Sequence, residues 1–273
     1  MNIQPLMTTK SLELHAAALS DRGQNRTINE DSVFQFSEHI NDQENIGIYV
    51  VCDGMGGYEA GDVASQMVIQ TIVAALSKLL IFNEGDVTRS VERPLTAQRI
   101  TNWLYNTILE ANEKIRTTLN EGTIKRMGST ITAVIIYNEH AYVANVGDSR
   151  AYLWRAGLLT QITSDHSLLN ELIKAGTISA EQAHTHSMRN VLTQAVSGNN
   201  LQNSIDIFEQ TLQSGDRLLL CSDGLWTAYP NEAELAERIA TADRPVDLCW
   251  QLVAEANQRD GSDNISAVTI FVV

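Results

Sequence analysis

The amino-acid sequence predicts one α+β domain built on two covered β-sheets. Three observations predict it: strand-like runs that are apolar on both faces, helical stripes interleaved with them, and consecutive strands joined by short turns. A strand wetted on one side alternates apolar with polar residues; a strand covered on both sides does not. Over 265–273, Val268, Ile270 and Val272 alternate with Ala267 and Phe271, so neither face is left to water.

The elements follow in order. Runs rich in β-branched and aromatic residues read as strands at 13–19, 46–52, 130–137, 141–146, 150–154, 217–221 and 265–273. Residues 63–80 are apolar round most of a helical surface, as suits a helix packed hard on a sheet. Leu104, Ile108, Ala111, Ile115 and Leu119 keep the spacing of one buried helical stripe, and Leu248, Leu252, Val253 and Ala256 mark another helix near the C-terminus. Turns at 138–140 and 147–149 favour antiparallel hairpins over a regular βαβ alternation. The 273 residues contain no internal repeat, low-complexity tract or long linker, so one large domain accounts for the chain.

Charge narrows the function. Acidic residues outnumber basic ones 33 to 19, for a net charge of −14. Such a chain repels phosphate backbones, and no Lys/Arg run offers a local basic groove, so nucleic acid is not an expected partner. The first ten residues lack the charged and apolar regions of a secretory leader. The longest apolar stretch, 68–82, is broken by Gln70, Ser77 and Lys78 and is too short to span a bilayer. Cys52, Cys221 and Cys249 form no Cys-x-x-Cys pair, and an odd count argues against a disulfide framework. A soluble, cytoplasmic monomer without membrane contact is the expectation.

Four segments put an Asp beside a turn residue next to a strong strand. They are Asp53-Gly54-Met55-Gly56-Gly57, Gly147-Asp148-Ser149-Arg150, Ser222-Asp223-Gly224 and Gly261-Ser262-Asp263-Asn264. Each alone is an ordinary turn signal. Four together can meet at one rim of a sheet, and oxygen-only clusters of that kind bind hard cations such as Mg²⁺ or Mn²⁺. A fifth segment, from Ser20 to Ser32, supplies Arg22, Arg26 and the acid pair Glu30-Asp31. Beside an oxygen-rich metal site, an Arg fork can hold a phosphate bidentately. The glycines after Asp53 match neither G-x-x-x-x-G-K-[ST] nor G-x-G-x-x-G, so a nucleotide loop is a poor reading.

Together these segments resemble the metal-dependent protein Ser/Thr phosphatases of type 2C, the PPM family, in its bacterial branch. The resemblance runs in order from about Leu12 to Val273 through Gly23-x-x-Arg26-x-x-Asn29-Glu30-Asp31, Asp53-Gly54-Met55-Gly56-Gly57, Gly128-Ser129-Thr130, Gly147-Asp148-Ser149-Arg150, Asp165-His166-Ser167, Arg189-Asn190-Val191-Leu192-Thr193-Gln194-Ala195, Ser222-Asp223-Gly224-Leu225 and Asp263-Asn264. It implies an αββα sandwich of two packed antiparallel sheets flanked by helices, with an N-terminal extension at 1–11, the phosphatase domain at 12–273 and a flap at about 167–190.

For the site, the resemblance implies two core Mn²⁺ or Mg²⁺ ions. Asp53 would bridge them, the Gly54 carbonyl would ligate the first, and Asp223 and Asp263 would hold the second. Glu30 and Asp31 would act through metal-bound waters, Arg26 would grip the phosphoryl oxygens, and Asp148 with Asp223 would match a third, weaker metal. The implied reaction is hydrolysis of phosphoserine or phosphothreonine in proteins by a metal-bridging hydroxide, without a covalent enzyme intermediate. A bacterial Ser/Thr kinase is the implied opponent.

Two departures from the family pattern concern proton donation. Met55 stands where eukaryotic relatives commonly have a His, and Tyr58 where many bacterial members have one, so no general acid can be named from the sequence. His184 and His186 in the flap region read as structural, and His166 as an aid to the turn before a helix. Two other functions fit parts of the pattern: an inactive phosphatase-like binding module, which lost metal ligands would mark, and a metal phosphatase acting on a small phosphoester.

Overall fold

The computed structural model describes residues 12–41, 44–56, 60–80, 95–122, 124, 126–179, 182 and 186–273. The expected extension at 1–11 lies outside them, as do Gly57, Tyr58 and His184. The first sheet runs β1 (Leu14–Asp21), β12 (Ile265–Val272), β11 (Arg217–Cys221), β8 (Arg150–Arg155) and β9 (Leu158–Gln161) from edge to edge. The second runs β10 (Asp206–Thr211), β7 (His140–Val146), β6 (Ile131–Tyr137), β3 (Glu44–Cys52) and β2 (Ser32–Asn41). Two short strands, β4 (Gly54–Gly56) and β5 (Met127–Ser129), form a ribbon of their own. Every pairing is antiparallel.

Three apolar layers hold these sheets, and the two-residue period of a strand explains them. Tyr49, Val51, Val134, Ile136 and Val143 point from the second sheet to meet Ala151, Leu218, Leu220, Val268 and Ile270 of the first. The alternate residues of the second sheet, Ile48, Val50, Ile131, Ala133 and Ile135, face α1 (Gly61–Leu80) and α2 (Ala97–Asn120). On the other side Tyr152, Leu219, Cys221, Ala267 and Phe271 pack among α4 (Asp223–Trp226), α5 (Glu232–Thr241) and α6 (Pro245–Arg259). Central strands therefore have no wet face, which is why their sequences are apolar throughout. The remaining helix, α3 (Leu168–Lys174), is capped by the Ser167 hydroxyl, which accepts from the Asn170 N–H.

Among the described residues α1 alone has the length and hydropathy to cross a membrane. Here its stripe of Ala64, Val68, Ile72, Ala75 and Leu79 is buried in the core instead. The opposite face carries Val63 and Val73 partly exposed, which accounts for its apolar reading all round.

One connection departs from the expected hairpin. Residues 138–139 do turn β6 back along β7, with Asn138 in the left-handed region at φ 53°. Residues 147–149, by contrast, carry the chain from β7 in one sheet to β8 in the other. The turn chemistry is that of a hairpin, but β7 already pairs with β6 and β10, so β8 has no vacant edge there. Gly147, at φ +110°, makes the step possible, since a Cβ would collide with Thr130.

Register then sets where the acids fall. Ser32 pairs with Cys52, Ile131 with Val146, Cys221 with Arg150, and Asp21 with Ile265. Asp53, Asp148, Asp223, Asp263 and the Glu30-Asp31 pair all sit in the connections just beyond those residues, at one rim of the sandwich. Gly54 sits where that rim leaves no room for a side chain, because a Cβ there would run into the backbone oxygens of Gly61 and Glu30. Gly54→Ala is expected to cost about 1–3 kcal/mol or more through overpacking; a urea denaturation midpoint equal to that of the unaltered protein would contradict the crowding.

Candidate active site

The rim opens as a cleft of about 390 Å³ bordered by Arg26, Glu30, Asp53, Gly54, Met55, Asp148, Asp223 and Asp263 among others. Seven of the eight residues expected at the site thus line one hollow. The eighth, Asp31, is buried beneath it at 7% exposure, and its Oδ2 accepts from the Ser222 hydroxyl at 2.8 Å. A second hollow of about 330 Å³ beside β8 and β9, bordered by Leu153, Leu158 and Ile162, contains no carboxylate. Its cation, Arg155, is already tied through two bonds to Asp216, so the chemistry belongs to the rim.

Each acidic group is fixed by its own local bonds. The Asp53 N–H donates to Thr130 Oγ1 at 2.9 Å and its carbonyl accepts from the Thr130 N–H at 2.8 Å, which locks the end of β3 to the start of β6. Thr130 Oγ1 in turn lies 2.7 Å from Ser149 Oγ, coupling this pair to the inter-sheet crossover. Glu30 is gripped on all sides: its N–H donates to Asn264 Oδ1, its carbonyl accepts from Gly54 N–H and Ser65 Oγ, and its Oε1 accepts from Gly61 N–H. The N–H of Asn264 donates to Asp263 Oδ1 at 2.8 Å. Arg26 lies at the mouth, half exposed, with Nη2 2.8 Å from Asp263 Oδ2 and Nη1 3.8 Å from Glu30 Oε2.

Three of these partners carry roles the sequence did not announce. Asn264 ties both sides of the loop between β1 and β2, donating to the carbonyls of Arg22 and Ile28 while accepting from Glu30. Ser222 supports Asp31, and Trp226 donates its indole N–H to the Asp148 carbonyl at 3.0 Å. A Trp one helical turn after Asp223 was the available signal for the last. His166 does more than assist a turn: Nδ1 accepts from Gly147 N–H, and Nε2 is 3.1 Å from Asp206 Oδ2. The segment that follows His166 is tied at its base, where Leu168 N–H donates to the Val191 carbonyl and Thr193 N–H to that of His166.

Burial and mutual repulsion dominate the electrostatics. Burial, then the neighbouring Asp31 and Asp223 charges, holds the Asp53 carboxyl well above the ordinary aspartate range. Burial raises Asp31 to about 7, Asp148 to about 8 and Asp223 to about 6, each with a further push from nearby carboxylates. Asp31 Oδ1 and Asp223 Oδ1 are buried without a hydrogen-bond partner. Orphaned anionic oxygens in an all-oxygen donor set are what a hard cation would satisfy, so the residues fit a divalent metal. Among the described residues no three His, Cys, Asp or Glu side chains close on one point by themselves. A cation here would complete its shell with water and backbone oxygens, the habit of Mg²⁺.

Residues 21–257 match the family model described as protein phosphatase 2C. The chain belongs to the protein phosphatase 2C family. Membership makes it a protein serine/threonine phosphatase in its bacterial branch, built on the αββα sandwich the resemblance implied. The chain is 36% identical over 258 residues to the serine/threonine phosphatase stp of Listeria monocytogenes, covering 94% of this chain and 95% of that one. It is 33% identical to the protein phosphatase PhpP of Streptococcus pneumoniae, over 94% and 97%. Among solved structures, the catalytic domain of PstP in complex with two manganese ions superposes with a TM-score of 0.79 at 30% identity, covering 96% of this chain and all of that one. Stp1 from Staphylococcus aureus gives 0.81 at 31%, over 99% and 100%.

The raised carboxyls predict a pH dependence. A carboxyl whose folded value lies above its unfolded value of 3.8 binds more protons when folded, so stability falls as pH rises from about 4 through 8. In EDTA, Tm should decline across that window, and Asp53→Asn, which removes one buried charge, should decline less steeply. Mn²⁺ should raise Tm more at pH 8 than at pH 5. Identical slopes for the two proteins would overturn the assignment of strain to this cluster.

Proposed function

We propose that the rim cleft hydrolyses phosphoserine and phosphothreonine in proteins, with two divalent cations held by Asp53, Gly54, Asp223 and Asp263. The observation that carries this is the cluster of buried carboxylates with orphaned oxygens beside a half-exposed guanidinium. In this reading Asp53 would serve both ions, the Gly54 carbonyl the first, and Asp223 and Asp263 the second. Glu30 and Asp31 would act through water, and Asp148 with Asp223 would hold a third, weaker ion. Bound there, Mn²⁺ or Mg²⁺ would supply the missing positive charge, activate water near neutral pH and polarise the phosphoryl group.

The chain's own groups do the rest. Arg26 is held at the mouth by Asp263 and Glu30, and in this reading its remaining N–H groups bind and align the phosphoryl oxygens as charge develops on them. Met55 borders the cleft and cannot donate a proton, so the leaving alkoxide is protonated by another group. The cysteines take no part as nucleophiles. Burial pushes Cys221 and Cys249 up to about 12 and Cys52 well above its ordinary value, leaving all three as neutral thiols. The same reading has a monomer in the cytoplasm, opposed by a cognate Ser/Thr kinase in bacterial signalling, with the segment at 167–190 serving as a flap beside the cleft.

Hydrolysis of a phosphothreonine peptide, with Mn²⁺ titrated against EDTA, tests the reading. Turnover should require the cation and fall by at least about 10²-fold in Asp53→Asn. Cation binding without turnover by the folded protein would favour an inactive binding module instead. Arg26→Ala should raise KM for the peptide about tenfold while leaving Mn²⁺ activation in its original range. An unchanged KM would remove Arg26 from phosphate binding.

A further inference from the structure

Trp226 joins two parts of the rim that the chain brings from different sheets. It closes α4, the helix that begins at Asp223, and its indole N–H donates to the Asp148 carbonyl in the crossover from β7 to β8 at 3.0 Å. The indole is itself held. The Arg150 guanidinium lies 3.6 Å from the centre of its ring, and that guanidinium is locked by bonds to both carboxylate oxygens of Asp165 and by Nη1 donating to Tyr152 Oη. Gln161 Nε2 steadies Asp165 Oδ1, while Asn170 Nδ2 donates to the Asp165 backbone carbonyl. A rigid chain of contacts thus runs from β9 and α3 through Arg150 and the indole to Asp148.

We propose that Trp226, backed by Arg150 and Asp165, is a positioning residue that sets Asp148 against Asp223 and so tunes the weaker cation position these two acids share. This rests on the reading of Asp148 as a metal ligand. The backbone of 147–149 has other anchors: Gly147 N–H donates to His166 Nδ1, and Ser149 Oγ meets Thr130 Oγ1. Those hold the crossover to the second sheet and to the segment before α3. Beyond the β8–β11 pairing of Arg150 with Cys221, Trp226 is the side chain that ties it directly to the helix carrying Asp223. Loss of the indole N–H therefore leaves the strands paired and the crossover in place but loosens the Asp148 peptide against the helix carrying Asp223. Groups that orient ligands without touching the ion typically change metal affinity about 10–100-fold when removed.

The experiment is a Mn²⁺ binding isotherm on the full chain, read by the electron paramagnetic resonance signal of free Mn²⁺, for Trp226→Phe, Arg150→Lys and Asp148→Asn. Phe keeps a ring under the guanidinium and deletes only the N–H donor; Lys keeps the charge on Asp165 and loses the planar stack. Both variants should weaken the lowest-affinity class of Mn²⁺ by about tenfold, as Asp148→Asn does, with the tighter class unmoved and KM for the peptide within about twofold. If Asp148→Asn weakens that class while both other variants bind as the unaltered protein does, the positioning role is overturned. If Asp148→Asn itself leaves binding unchanged, the ligand reading of Asp148 fails and the proposal falls with it. Should Trp226→Phe not fold, Arg150→Lys decides the question alone.

Discussion

Repulsion among buried carboxylates is the constraint around which this molecule is organised. Asp31, Asp53, Asp148 and Asp223 are driven together out of water, where burial first and neighbouring carboxylates second raise the proton affinity of each. Nothing in that cluster favours its own assembly. It exists because the strands that end beside it are fixed by three apolar layers, and because the backbone groups flanking each acid are tied into a network through Thr130, Ser222 and Asn264. The scaffold holds in place a set of charges that would otherwise separate, and a fixed excess of negative oxygen is what a divalent ion needs. Stability given up at the rim becomes affinity for a cation.

The division of labour between layers follows from this. Apolar strands with two dry faces give the site rigidity, while the groups with chemistry sit just beyond their ends, in short connections, in β4 or at the start of α4. The two sheets contribute different members, Asp53 from the end of one and Asp223 and Asp263 from the other, so the cleft is also the seam between them. Asp148 occupies the only direct step from β7 to β8, and its position depends on both sheets at once.

Central strands were legible because their apolar runs are unbroken: β3, β6, β7, β11 and β12 fall within a residue or two of the expected ranges. Of the strands in the two large sheets, those that escaped notice, β2, β9 and β10, are edges with mixed polarity, such as Glu38, His39 and Asn41 in β2, where propensity and periodicity both weaken; β4 and β5, also unforeseen, are too short to show a period. The 147–149 connection was misread because a turn's residues specify its local geometry and not the sheet into which the next strand is delivered. At the site the acids announced themselves through Asp beside Gly or Asn. Asn264 and Ser222 gave no such signal, since their value lies in partners as far as 242 residues away in the chain, and Trp226 offered only its place one turn after Asp223. The alignment of motifs with a known family carried the roles; the residues alone carried only the suspicion of a cation.

The pairing of β1 with β12 joins the beginning of the described chain to its end, and β12 also separates β1 from β11 in the sheet. Arg26 and Asp263, bonded across the cleft, are 237 residues apart. Contacts of such long range form late and slowly, because the intervening loop must close before any of them is rewarded. During synthesis, then, the cleft stays incomplete until β12 has emerged. A chain lacking β12 would retain Asp53, Asp148 and Asp223 but lose the neighbour between β1 and β11. Cleft assembly is thereby coupled to the arrival of β12, an order of events that follows from topology alone.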